Sequence, residues 1–282
     1  MRMPPKRFKD HFQFYLGIDQ TGAVQPNGLA RPLRCSLFFH QQIFLFSISR
    51  FSLDEIDEGI IQILPKKIKD SYHRKFLFIL LDSVLGLPRK IYKSADENFF
   101  DYCKLARNFS FDDKFYGAVT ANSFYLQFLD QTGNKEIPKR TCEVLTKANS
   151  VFKMTPFQKN ISCGTYRILR ELDDIKNIHF FHLQKNPNFQ KPMLAEGYPS
   201  LYWREFIQSR SRDLSYLKPW LKSLQVKTNQ SSAKLIHDPD YADATVLALT
   251  PWLIFQGFTS TNLAFEKFND PQEGWIFALK KK

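Results

Sequence analysis

The sequence predicts an α/β fold, in which the strands of a mixed sheet are flanked by helices. Closely spaced β-rich runs near the N-terminus are followed by segments of helical periodicity, and these alternate with further short apolar runs. The chain has 282 residues, 43% of them hydrophobic, which is enough to bury a sizeable core. We therefore expect a single domain over residues 1–282 that contains a helical insertion at residues 94–150.

The first three strands are expected to form an antiparallel unit. Gln13–Ile18, Leu33–His40 and Ile43–Ser49 are apolar runs, and only a short Gln-Gln region separates the second from the third. The segment Gln20–Gly28, between the first and second runs, is typical of a turn.

A helix and a buried strand are expected next. Ser52 is followed three residues later by Glu55, which is the pattern of a capping box, and the helix should continue to about Lys69 with a kink or an end at Pro65. The run Phe76–Leu81 is apolar without alternation, which indicates a strand that is covered on both faces.

The rest of the chain predicts more helices and short strands. Periodic Phe and Leu residues indicate a helical region, residues 94–131, with one break near residues 108–117. The other expected elements are a helix at about Thr155–Leu172, short strands at His179–Leu183, Met193–Glu196 and Gly274–Leu279, and a last helix from about Asp240 to Leu253.

The net charge is strongly positive. Forty Lys and Arg residues against 28 Asp and Glu residues give a formal charge of +12, which favours polyanionic partners such as nucleic acid or an acidic membrane surface. A basic protein without a nucleic-acid role remains an alternative at this point.

The cysteines and the apolar runs indicate an intracellular protein. The four cysteines are widely separated, with no C-x-x-C pair, so we expect free thiols rather than disulfides or a zinc ribbon. No run reaches the roughly 18 apolar residues of a membrane span, and no secretory signal is apparent. We expect a cytoplasmic protein with no membrane partner, whose four free cysteines are Cys35, Cys103, Cys142 and Cys163.

Acidic residues end three of the expected strands. Asp19, Asp82 and Glu196 each follow an apolar run, and ligands of open α/β sheets bind beyond the carboxyl ends of the strands. Asp240 and Asp243 lie three residues apart at the start of the last helix, where they can share a face. Carboxylates that converge need cations, and oxygen ligands suit Mg²⁺ or Mn²⁺. The alternative is that each acid is a turn residue or a helix cap.

Five segments also carry a resemblance to a known family. They are Phe14–Asp19, Leu80–Pro88, Glu196–Pro199, His237–Ala244 and Asp270–Ile276. In this order they resemble the motifs of the family called domain of unknown function 429, which is similar to the ribonuclease H-like superfamily. The sequence departs from the family pattern at Gln20–Val24, after the first aspartate, and at Ser83–Val84, after the second.

The resemblance implies a ribonuclease H-like, five-stranded mixed sheet flanked by helices, with the first and fourth strands as neighbours. Asp19 and Asp82 match the two strand-end acids of that superfamily and Asp243 matches the acid of the terminal helix, with Glu196 and Asp240 as companions. Active nucleases of the superfamily use such acids to bind two Mg²⁺ ions.

The function expected from this reasoning is a Mg²⁺- or Mn²⁺-dependent nuclease, a phosphodiester hydrolase that acts on DNA or RNA. The expected catalytic residues and metal ligands are Asp19, Asp82, Glu196 and Asp243, and Asp240 is a further ligand. Two alternatives stay open: a noncatalytic nucleic-acid-binding or scaffold protein of the same fold, and a nucleotide-dependent phosphotransferase.

Two further groups of residues could contact nucleic acid. Arg89, Lys90 and Lys93 follow Asp82 closely and could hold phosphates, although a solvated surface is the commoner role of such residues. The aromatic residues after Glu196 could stack on a base or pack in the core, and they are Tyr198, Tyr202 and Trp203.

Overall fold

The computed structural model of the protein describes residues 5–20, 30–132, 137–153, 161–172, 175–266 and 270–280. Its described strands are β1 Phe14–Asp19, β2 Leu33–Phe39, β3 Gln42–Ile48, β4 Leu77–Leu81, β5 His179–Phe180, β6 Met193–Glu196 and β7 Lys227–Thr228. They form one mixed sheet in the order β5-β6-β4-β1-β2-β3-β7. The prediction of a mixed sheet flanked by helices is confirmed, whereas the count of five strands is wrong, because the two-residue strands β5 and β7 extend its two edges.

The register of the sheet sets the position of the acidic residues. Strands β1, β2 and β3 are antiparallel, and β4 lies parallel to β1, as expected for the first and fourth long strands. Ile18 of β1 is paired with Leu81 of β4, which is paired in turn with Glu196 of β6. The three acid-bearing strands therefore end side by side.

Ten α-helices surround the sheet in the described part of the chain. They are α1 Pro5–His11, α2 Leu53–Ile63, α3 Lys66–Lys69, α4 Phe99–Asn108, α5 Ala118–Thr132, α6 Thr141–Thr146, α7 Ile161–Glu171, α8 Pro199–Tyr202, α9 Leu214–Ser223 and α10 Pro239–Phe255. A π-helical turn, Trp203–Ile207, continues α8. Helices α1 and α9 were not predicted from the sequence, whereas α6 lies within the expected helical insertion at residues 94–150. No described helix is both long and apolar enough to cross a membrane.

Local sequence explains how α2 begins and ends. The Ser52 hydroxyl accepts a hydrogen bond from the Glu55 N–H at 3.1 Å, as the predicted cap requires. The Glu55 carboxylate does not complete the box, because it binds the backbone N–H and the hydroxyl of Ser49 instead. Pro65 separates α2 from α3, so the expected single helix to Lys69 is two helices.

The core has two layers, one on each face of the sheet. On the first, which we call the α7 face, Leu16 and Leu81 pack with residues of α2, α4 and α7. On the second, the α10 face, Tyr15 and Leu80 pack with residues of α9 and α10. Since side chains alternate along a strand, neighbouring residues of β1 or β4 belong to different layers.

Two expectations for the second half of the chain differ from the structure. Gly274–Leu279 is not a strand, because Gly274 and Ala278 both have φ of +61° and interrupt the extended backbone; only isolated bridges join this segment to Glu196 and Leu263. The expected strand His179–Leu183 is reduced to the two residues of β5.

Some expected elements fall partly outside the described residues. The turn at Gln20–Gly28 and the helix start near Thr155 are among them, although α7 covers the later part of that helix. The predicted break in the helical region is confirmed, since α4 ends at Asn108 and α5 begins at Ala118.

A candidate carboxylate site

Asp19 and Asp82 lie side by side at the end of the sheet. Asp19 is the last residue of β1, and the N–H of Asp82 donates to the carbonyl of Ile18 at 2.8 Å, which extends the β1–β4 pairing by one residue. The two side chains lie close enough that the negative charge of Asp82 raises the pKa of Asp19.

Gly17 allows helix α10 to approach this pair. A Cβ atom on Gly17 would lie 2.0 Å from the carbonyl oxygen of Ala244 and 2.5 Å from the nitrogen of Ala248, both of which are backbone atoms. The absence of a side chain at this position therefore lets the backbone of α10 rest directly on β1. This contact brings Asp243, the residue before Ala244, to the end of the sheet where Asp19 lies.

Two residues from the preceding segment hold Asp243. The Trp203 indole Nε1 donates to Oδ1 of Asp243 at 2.7 Å, and the Arg212 guanidinium pairs with Oδ2. Arg212 also donates to the hydroxyl of Ser200. Both oxygens of Asp243 therefore have partners, and one of these partners is positively charged.

Burial raises the pKa of all three carboxyl groups, and neighbouring carboxylates add to the rise. Burial is the main cause of the raised pKa of Asp19, and the negative charge of Asp82 adds to it. Burial and the charge of Asp243 raise the pKa of Asp82 to about 7. The pKa of Asp243 is also raised by burial, although Arg212 opposes the rise. We call Asp19, Asp82 and Asp243 the acid cluster. The raised pKa values show that Arg212 does not fully neutralise the negative charge of this cluster.

Asp240 lies near the acid cluster and Asp238 has a structural role. Asp240 is half-buried in the first turn of α10, and its negative charge contributes to the raised pKa of both Asp19 and Asp243. Asp238 caps α10, because its Oδ1 accepts a hydrogen bond from the Asp240 N–H at 3.0 Å.

Glu196 is not brought into the acid cluster, although its strand ends beside the other two. Within β6 it alternates with Ala195, which packs on the α10 face, so Glu196 points to the α7 face. There Arg140 binds both carboxylate oxygens, at 2.7 and 2.6 Å, and the Leu85 N–H donates to one of them at 2.9 Å. The expectation that all strand-end acids converge did not allow for this alternation of faces.

Three of the other candidate contacts, Arg89, Tyr202 and Trp203, also have structural partners. Arg89 forms an ion pair with Asp270 at 2.7 Å. Tyr202 and Trp203 are buried, and the Tyr202 hydroxyl donates to the carbonyl of Phe277, so these aromatic residues belong to the core and are not available to stack on a base.

Three residues that bind the acids were not predicted to do so from the sequence. Arg140, Trp203 and Arg212 lie 56, 40 and 31 residues from the acids that they bind. The Arg210-Ser211-Arg212 triplet is a local concentration of charge, but nothing in the sequence indicates its partner.

The donor set suits a hard divalent cation, although the present arrangement does not form a complete site. Carboxylate oxygens are the ligands that Mg²⁺ and Mn²⁺ prefer, and Asp19 and Asp82 supply them at the open end of the sheet. Among the described residues, no three His, Cys, Asp or Glu side chains are grouped so as to hold a metal ion. The hydrogen bonds of Asp243 to Trp203 and Arg212 agree with this, since its oxygens are already engaged.

Comparison of the chain with protein-family models, with curated proteins and with solved structures finds no match. The acid cluster is therefore interpreted from its own geometry and charge.

Proposed function

We propose that the protein is a Mg²⁺- or Mn²⁺-dependent nuclease, which hydrolyses phosphodiester bonds of nucleic acid at the acid cluster. The observation that carries the proposal is the grouping of three carboxyl groups, from β1, the end of β4 and α10, with raised pKa values and Arg212 as their paired cation; Asp19 and Asp243 are buried and Asp82 is half-buried. Crowded carboxylates are costly unless cations neutralise them, and metal-dependent phosphoryl transfer needs such a site.

The order of the long strands supports the same proposal. The strand order β3-β2-β1-β4-β6, with β1 to β3 antiparallel and β4 and β6 parallel to β1, agrees with the mixed sheet that the sequence resemblance implies. The acids at the ends of β1 and β4 and on the last helix then correspond to the positions that the sequence resemblance implies. Fold likeness alone does not give an activity, so the charge of the acid cluster remains the main support.

Each residue of the cluster has a separate role in this proposal. Asp19, Asp82 and Asp243 are the ligands, with Asp240 beside them, and the bound cation would stabilise charge on the reacting phosphate oxygens. Raised pKa values favour the protonated forms of Asp19 and Asp82, and both groups would have to be ionised to hold a cation. If Asp243 also held the cation, the guanidinium of Arg212 would be released and free to bind a phosphate. Glu196, paired with Arg140, anchors the α7 face and is not among the ligands.

The test is metal-dependent cleavage by aspartate variants. Purified protein is incubated with labelled single- and double-stranded DNA and RNA in Mg²⁺, in Mn²⁺ or in EDTA. We expect cleavage that needs the metal, and its loss in Asp19→Asn and in Asp82→Asn, because an amide lacks the charge that holds the cation. Asp96→Asn, at an exposed position, is the matched control and should cleave as the unmodified protein does. Equal cleavage by all three variants would contradict the proposal.

The ion pairs that two of the acids form with arginines favour a second candidate function, noncatalytic binding of nucleic acid. Arg212 on Asp243 and Arg140 on Glu196 neutralise two of the expected ligands without a metal, as in a noncatalytic nucleic-acid-binding protein of the same fold. Titration calorimetry with Mn²⁺ separates the two functions. No heat of binding, together with salt-sensitive binding of nucleic acid and no cleavage, would support the noncatalytic protein.

A further inference from the structure

A row of lysines leads away from the acid cluster along helix α9. The helix begins directly after Arg212, with Asp213 as its N-cap, and continues to Ser223. Lys218 and Lys222 lie four residues apart on α9, so they share one face of the helix. Lys227, at the start of β7, continues the row beyond the helix. We call these three lysines the basic track.

The basic track borders a concavity and remains exposed. Its three lysines line a cavity of about 320 Å³, and Leu221, Val226 and Thr228 also line it. All three lysines are exposed. No carboxylate of the described residues forms an ion pair with them. Their charges are therefore available to a ligand.

The dimensions of the track suit one strand of nucleic acid. Lys218 and Lys222 are four residues apart on α9, which corresponds to about 6 Å at about 1.5 Å per residue. A strand with a charge roughly every 3.4 Å presents about two phosphates over that length, one for each of these lysines. The N-terminal end of the helix is joined to Arg212, which contacts the acid cluster, so a strand along the track leads to the proposed cleavage site.

An acidic membrane fits this surface less well. Helices that lie on membranes insert an apolar face among the lipids. The apolar residues of α9, Leu217 and Leu221, are buried in the core of the α10 face and cannot be inserted. The charged residues also surround a concavity, whereas a bilayer presents a broad surface.

We propose that the basic track binds the sugar-phosphate backbone of the nucleic-acid strand that is cleaved at the acid cluster. The proposal rests on the proposed function for the identity of the strand, but binding can be measured without cleavage. Lys218, Lys222 and Lys227 each contact a phosphate at the rim of the concavity.

The test compares the salt dependence of binding in two triple variants. The track variant is Lys218→Gln/Lys222→Gln/Lys227→Gln. The control is Lys66→Gln/Lys67→Gln/Lys69→Gln on α3, which has the same change of charge. Helix α3 lies on the opposite side of the sheet, because its Ile68 packs with the α7 face. Circular dichroism and melting temperature establish that both variants fold.

Binding is followed by the fluorescence anisotropy of labelled single-stranded DNA and RNA, in EDTA so that no cleavage occurs. Each phosphate contact to a single strand adds about 0.7 to the slope of log K against log salt, so three lost contacts lower the slope by about 2. Between about 50 and 200 mM salt, the affinity of the unmodified protein should therefore fall about 20-fold more than that of the track variant. The control variant should keep the original slope.

The outcomes separate this proposal from the proposed function. Equal slopes for the two triple variants, or no binding by the unmodified protein, would contradict the proposal that the basic track binds nucleic acid. If the track variant lost binding only to phosphatidylserine vesicles, the proposal would also be wrong, since the partner would then be a membrane. The absence of metal-dependent cleavage would overturn only the nuclease. In a nuclease assay, the track variant should lose activity on long strands and keep it on bis(p-nitrophenyl) phosphate, which is too small to reach α9.

Discussion

Crowding of the acid cluster predicts that Asp82→Asn stabilises the protein in the absence of metal. Burial and the charge of Asp243 raise the pKa of Asp82 from 3.8 to about 7. Below about pH 4 the carboxyl group is protonated in both the folded and the unfolded chain, so it does not lower the free energy of unfolding. As the pH rises towards 7 the unfolded chain loses this proton and the folded chain keeps it, so the stability of the folded state decreases. Above about pH 7 the carboxyl group is ionised in both states, and the whole decrease in the free energy of unfolding remains.

The size of this decrease follows from the same values. A rise of the pKa from 3.8 to about 7 corresponds to about 4 kcal/mol at about 1.4 kcal/mol per pKa unit. This is an upper value, because the Asp82 side chain keeps some contact with solvent. The asparagine side chain of the variant cannot ionise, so the variant avoids this decrease at every pH.

Urea unfolding in EDTA measures the effect. We expect the free energy of unfolding of Asp82→Asn to exceed that of the unmodified protein by several kcal/mol, up to about 4, at about pH 8 and by little at about pH 4. Asp96→Asn, at an exposed residue, should show no such change with pH. A difference that is the same at both pH values, or a less stable variant at about pH 8, would refute the proposed repulsion. A variant that is more stable but inactive would also show that its loss of cleavage is not caused by misfolding.

Two other contacts give further predictions. Gly17→Ala places a Cβ 2.0 Å from the Ala244 carbonyl oxygen, where ordinary contact begins at 3.4 Å, so α10 must shift by more than 1 Å. We expect a loss of about 1 to 3 kcal/mol in urea unfolding, and unchanged stability would show that α10 does not rest on β1. Arg140→Met leaves Glu196 buried without its cation, which should cost about 3 to 5 kcal/mol. The double variant Arg140→Met/Glu196→Gln should recover part of that loss, and no recovery would argue against a direct pairing.

The central strands and the last helix could be predicted from the sequence because their signals are local. The predicted bounds of β1 to β4 differ from the observed bounds by at most one residue, and Met193–Glu196 agrees in full. Apolar runs and helical periodicity are set by burial of neighbouring residues, so they are visible without tertiary information. The segment Gly274–Leu279 shows that an apolar run does not always form a strand. Its apolar residues are buried, but two residues with left-handed backbone conformations interrupt the extended chain.

The acid cluster could be predicted only in part for a related reason. The adjacency of Asp19 and Asp82 depends on strand order, which was inferred from the resemblance and not from periodicity. Glu196 was placed with them because its strand ends at the same edge, yet a shift of one residue along a strand moves a side chain to the opposite face. A difference of one residue along β6 therefore decides whether an acid faces the proposed site or, like Glu196, is buried against Arg140 on the other face.

The net charge of +12 describes none of these contacts, because it adds residues that act in different ways. Arg140 is buried and its charge is cancelled by Glu143 and Glu196, so it contributes to stability and not to an external field. The lysines of the basic track are exposed and act over the distance that salt allows, roughly 10 Å at 0.1 M. Arg212 lies between these two cases, paired with Asp243 but still partly exposed. Only exposed cations contribute to the salt dependence of binding. The two triple lysine variants have the same net charge, so a difference between their slopes shows where on the surface the nucleic acid binds.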